Sequence, residues 1–131
     1  MKMPPLFLLV LLFTGCAHRP PPVYTEAQTF EYNSPIDCAS SDECERLWRG
    51  AQAWVVQHSA FKIQVATNSI IQTFNPPTYS TGWAFQVVRT PITKAAERIS
   101  ISPNCGEVPL CRGTKYELVA AFHATLRKLK E

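Results

Sequence analysis

Four cysteines stand in two pairs of identical spacing, Cys38-x5-Cys44 and Cys105-x5-Cys111, one towards each end of the patterned part of the chain. If oxidised, they impose a covalent framework that outweighs any local propensity, and four cysteines allow three pairings. We expect Cys38–Cys44 and Cys105–Cys111, because each pair brackets a turn, the first across the start of a helix. Closing such a seven-residue loop is worth about 2.4 kcal/mol in the chain-entropy model, whereas a Cys38–Cys105 bridge enclosing about 68 residues would be worth about 4.4 kcal/mol. Loop entropy alone therefore favours the long-range alternative, while locality favours the short pairs. Zinc ligation is the competing use of four thiolates, but zinc sites favour Cys-x2-Cys, and without Cys-x-x-Cys a thiol-redox role has no motif. Neither a metal nor a cofactor is expected.

Disulfides persist only in an oxidising compartment, and the first residues point to one. Lys2 precedes the apolar run Leu6 to Phe13, and small residues Thr14-Gly15 then lead to Cys16. This is the order of an export signal. Eight apolar residues span about 12 Å as a helix against a hydrocarbon thickness of about 30 Å, too short for a transmembrane anchor.

Phe13-Thr14-Gly15-Cys16 resembles the lipobox of bacterial lipoproteins, with Phe13 where the family usually has Leu. The resemblance implies removal of residues 1–15 as a signal peptide and attachment of palmitate-type acyl chains to Cys16. It also implies that Ala17, rather than Asp, directs the product to the outer membrane, facing the periplasm. Several acyl chains hold far better than one, each buried methylene adding about 0.8 kcal/mol.

The domain division expected is 1–15 signal peptide, 16–37 lipidated cysteine and tether, and 38–131 a single α+β domain. Pro20-Pro21-Pro22 favours extended polyproline geometry, and Val23 to Asp37 shows no clear period. Stretched, the roughly 20 residues between Cys16 and Cys38 would reach about 70 Å. The chain of 131 residues carries a net charge of +3, or +2 once Lys2 has gone. That balance gives no reason to expect a nucleic-acid partner.

Ser40-Ser41-Asp42-Glu43 reads as a capping box, followed by a helix with Cys44, Leu47, Trp48, Ala51, Trp54, Val55 and His58 on one stripe. Gly50 lies beside that stripe, tolerable where another backbone packs closely. Phe61 to Val65 and Ile70 to Phe74 read as a hairpin turning at Asn68-Ser69. Strands follow at Trp83 to Arg89 and at Arg98 to Ser102, the last stopped by Pro103-Asn104. Thr114 and Glu117 form a second capping box, opening a helix whose Leu118, Val119, Phe122, Leu126 and Leu129 share a side. The order α-β-β-β-β-α predicts a two-layer α+β sandwich: an antiparallel sheet of about four strands with two helices on one face.

Candidate chemistry is sparse. With His18 in the tether, only His58 and His123 could serve as bases or ligands, and both lie on or beside core stripes. No Gly-x-Ser-x-Gly elbow, phosphate loop or His-Glu-x-x-His is present. Trp48, Trp54 and Trp83 fall on apolar faces and read as packing rather than a sugar platform. Tyr79 sits in a loop of Pro, Thr and Ser and is the candidate binding side chain. The pattern Cys38-x5-Cys44-x3-Trp48-x5-Trp54 with a later cysteine pair resembles a group of small uncharacterised proteobacterial envelope lipoproteins, which implies the compartment and the paired cysteines.

The expected function is that of a non-catalytic envelope protein, presenting a braced domain to an envelope protein or cell-wall partner, with the membrane engaged through Cys16. An inhibitor or immunity protein against an envelope hydrolase is the alternative. An enzyme would require His58 or His123 to converge with a carboxylate in a pocket.

Overall fold

The computed structural model describes residues 20–106 and 110–131. Residues 1–15, expected to be a signal peptide, and Cys16 lie outside the described residues. The elements in chain order are α1 (Glu26–Asn33), β1 (Ile36–Cys38), α2 (Ser41–His58), β2 (Ile63–Ala66), β3 (Ile70–Thr73), β4 (Trp83–Pro91), β5 (Glu97–Cys105) and α3 (Lys115–Lys128). The strands form one antiparallel sheet in the order β1-β5-β4-β3-β2, so the fold is α+β as expected.

Alternation along each strand assigns the two faces of this sheet. Ile36, Cys38, Ile71, Thr73, Phe85, Val87, Ile99 and Ile101 are buried and point to the helices. Asp37, Gln72, Gln86, Arg98, Ser100, Ser102 and Asn104 point the other way and are half-buried or exposed. Helix α2 buries the expected stripe, Cys44, Leu47, Trp48, Ala51, Trp54 and Val55, while His58 beyond it is exposed. Trp54 meets Phe85 of β4 and Phe122 of α3 edge-on, with centroids 5.2 and 5.3 Å apart. One indole thus joins both long helices to the sheet, and each such pair adds about 0.5–1.5 kcal/mol beyond burial.

Two elements differ from the expected order because the segment taken as tether is folded. Thr25 opens α1 with a full capping box, accepting from the Gln28 N–H while the Gln28 side chain takes the Thr25 N–H. The helix buries no residue of its own and lies along α3, where Tyr24 and Tyr32 both stack on Tyr116. Strand β1 then pairs Ile36 with Ile99 and Cys38 with Glu97, making a fifth strand at the sheet edge. The folded unit therefore begins well before residue 38.

Other differences are local. The Ser40 side chain accepts the Glu43 N–H as expected, but the Glu43 carboxylate takes the N–H of Ala39 at 2.7 Å rather than that of Ser40. Beside Gly50 the close neighbour is a side chain: a Cβ there would come within 2.3 Å of the Leu129 Cδ1 atom. Strand β5 continues through Pro103 to Cys105. Phe85, opposite Pro103, turns its N–H and carbonyl towards Thr73, whose hydroxyl accepts that N–H at 2.9 Å. The Phe85–Pro103 pair is thus a non-hydrogen-bonded one, and the N–H that proline lacks would have faced away from β4, past the end of β1. No helix among the described residues is long and apolar enough to cross a membrane.

Two predictions follow from this packing. Trp54→Ala should lower unfolding free energy in urea by about 3–5 kcal/mol, through lost burial and the residual cavity. A chain beginning at Asp37 deletes α1 and the buried Ile36, and should lose at least about 2 kcal/mol for the isoleucine alone. Equal urea midpoints for that chain and one beginning at Pro20 would show α1 and Ile36 to be dispensable.

Candidate functional site

The sheet gives the domain two poles. At the hairpin pole, where β4 turns into β5, the Cys38–Cys44 disulfide ties β1 to the start of α2 with Cα atoms 5.2 Å apart. Arg89, whose side chain is only 9% exposed, bonds Glu45 of α2 at 2.7 Å and Glu97 of β5. Its guanidinium also lies 6.0 Å from the Trp48 ring centroid. Arg98 grips Asp37 bidentately at 2.7 and 2.8 Å, and this bond holds the Asp37 carboxyl below its ordinary value. Glu97 lies near the Cys38 and Cys44 sulfurs, but sulfurs joined to each other offer no thiolate, so the group is structural.

At the opposite loop pole, the Cys105–Cys111 disulfide closes the connection into α3 with Cα atoms 6.3 Å apart. Both bridges are thus the local ones expected. Gly113, with φ of 73°, turns the chain into the Thr114 cap, a left-handed conformation that favours glycine. Trp83 is half-buried at the start of β4, where its Nε1–H donates to the Arg112 carbonyl at 2.6 Å. The Trp83 carbonyl in turn accepts from the Ala60 N–H at 3.1 Å and the Ser59 hydroxyl at 3.3 Å.

A groove of about 560 Å³ opens beside this indole, lined among others by His58, Phe61, Thr81, Trp83 and Arg112. On its other side a second groove of about 390 Å³ runs between Trp83, Asn104, Thr114 and Lys115. Neither lining includes a carboxylate side chain. Tyr79 stands 80% exposed in the adjoining loop, as expected for a display residue. Gly106 supports that loop from below, since a Cβ there would fall 2.0 Å from the Pro77 carbonyl oxygen.

The open sheet face is the other candidate surface. Register places Gln72, Gln86 and Ser102 in one cross-strand row, and Ala84 beside Asn104 in the next. A small concavity of about 150 Å³ lies over this row and includes Asn75. The only charged residues of this face in the paired strands are Asp37 and Arg98, which neutralise each other at one corner.

The histidines do not converge. His58 stacks on Trp54 with centroids 3.9 Å apart, and its Nδ1 pairs with the Trp54 carbonyl at 2.8 Å. His123 faces α1 instead: it is 7% exposed, with Nδ1 2.6 Å from the Glu31 carbonyl. Arg127 joins the same contact, bonding the Glu31 carboxylate at 3.1 Å and the Ser34 carbonyl at 3.1 Å. Burial pushes the His123 pKa below its ordinary value, against the carbonyl bond, which favours the charged ring.

The cysteine pairs, the exposure of Tyr79 and the packing of Trp48 and Trp54 were legible in the sequence. Arg89 and the His123–Glu31 contact were missed. Arg89 shares face parity with Phe85 and Val87, a position where a cation needs buried partners. The contact to Glu31 was hidden with α1, whose Thr25-x-x-Gln28 box was the available signal. Comparison with protein-family models, curated proteins and solved structures finds no match to this chain.

The His123 geometry sets a pH dependence. Because folding favours the neutral ring, its contribution to stability is complete above the ordinary histidine value of about 6.5 and is lost as pH falls through the window below it. Urea unfolding across that range should show declining stability in the wild type and a flatter profile in His123→Gln. Identical slopes would exclude His123 as the source.

Proposed function

We propose that the chain is a lipid-anchored protein of the bacterial outer membrane, facing the periplasm, that acts by binding an envelope partner rather than by catalysis. The anchor is Cys16, exposed by removal of residues 1–15, and the partner is an envelope protein or the cell wall.

The open sheet face is the observation that carries the binding reading. All helix contacts fall on one side of the sheet, leaving a row of amides and hydroxyls, Gln72, Gln86 and Ser102, with no intramolecular side-chain hydrogen bond among the described residues. Such a surface offers donors and acceptors without the desolvation cost of buried charge. The non-catalytic reading draws support from the histidines, each of which has a helix carbonyl rather than a carboxylate against its Nδ1.

Affinity capture from envelope extracts tests this, using a soluble chain that begins at Pro20 so that α1 and β1 are retained. An envelope protein or cell-wall fragment should be held by the wild type and lost with Gln86→Arg. That substitution should change stability by less than about 0.5 kcal/mol, because Gln86 is exposed. Capture that survives Gln86→Arg removes the sheet face as the contact surface, and no capture at all removes the binding reading.

A further inference from the structure

We propose that the loop pole is the end of the domain that faces the lipid, and that its occupant is a phospholipid surface bearing anionic headgroups. This rests on the lipid-anchored reading above and adds an orientation to it.

The first support is where the chain enters the fold. Tyr24 stacks on Tyr116 with centroids 3.8 Å apart, and its hydroxyl donates to the Thr114 Oγ1 at 3.3 Å. The polypeptide arriving from Cys16 is therefore fastened at the start of α3, beside the groove that Trp83, Thr114 and Lys115 line. Eight residue steps from Cys16 to Tyr24 reach at most about 29 Å, less than half of what an unfolded segment to Cys38 would span. Strand β4, nine residues long, then carries the hairpin pole a further ~27 Å from that attachment.

The second support is the chemistry of the pole. Phe74, Tyr79 and Leu110 are large apolar side chains exposed there, and Lys62, Arg112 and Lys115 are exposed cations on the same end. Aromatic and aliphatic side chains beside basic ones suit the headgroup region, where rings seat at the interface and cations meet anionic lipid. Among the described residues the carboxylates near this end are Glu117, which caps Thr114, and Glu26 in the first turn of α1; Glu107 of the Cys105–Cys111 loop lies outside the described residues. At the hairpin pole the charges are of both signs and paired with one another: Glu45 and Glu97 with Arg89, Asp37 with Arg98, and Glu43 with Lys130.

The test is a lysine footprint with a water-soluble amine-reactive reagent. The mature chain acylated at Cys16 is seated on vesicles of zwitterionic phospholipid containing an anionic phospholipid. The reference is the unacylated Cys16→Ser chain in solution. Reactivity at Lys62 and Lys115, taken relative to Lys94 in the β4–β5 hairpin, should fall severalfold on the vesicles. The combined variant Phe74→Ser, Tyr79→Ser, Leu110→Ser should restore it. Unchanged reactivity at both lysines on the acylated chain, or protection of Lys94 in their place, overturns the orientation while leaving the anchor intact. An intact mass without acyl chains in protein purified from the envelope overturns the anchor, and the orientation with it.

Discussion

The contact between Trp54, Phe85 and Phe122 is the junction on which the rest of the molecule depends. A sheet open on one side has a single apolar interface, and that interface must be closed by helices that would not otherwise stay together. Trp54 closes it from the centre, reaching β4 and α3 from α2. The remaining core residues of α2 sit within three turns on the same stripe, so they are aligned once this indole is seated.

The disulfides act outside that junction, one at each end of the layered structure. Each closes a short loop, which limits the entropy it removes from the unfolded chain. Their value is positional. Cys38–Cys44 fixes the edge strand to the first turn of α2, where the Arg89 ion pairs also gather. Cys105–Cys111 fixes the end of β5 to the approach of α3, and so shapes the walls around Trp83. Polar contacts are used alongside them: Thr73 replaces a missing backbone partner between β3 and β4 with its hydroxyl.

The parts legible in the sequence were those governed by period and by capping. The stripe of α2 and the alternation of β4 and β5 report burial on one side directly, and Thr114 with Glu117 announced α3. Helix α1 escaped because it presents no apolar stripe; it is held by stacked tyrosines and by Arg127, and such contacts depend on residues some ninety positions away. Strand β1 is three residues long, too short to display a period. Pro103 misled for a different reason. Proline forbids a ladder bond only where its nitrogen would have donated one, and a single sequence does not say which way a strand's donors point.

That proline also bears on association at the sheet edge. Beyond Ile99 the outer side of β5 has no strand neighbour among the described residues, because β1 ends there. A free strand edge is a template for any passing extended polypeptide. The outward positions along this stretch are Ile101, Pro103 and Cys105, and the middle one has no N–H to offer. An incoming strand could not form a continuous ladder across it. A domain with an uninterrupted edge there would be open to strand capture or to fibrous self-association. Pro103 interrupts that edge at its midpoint without disturbing the pairing with β4.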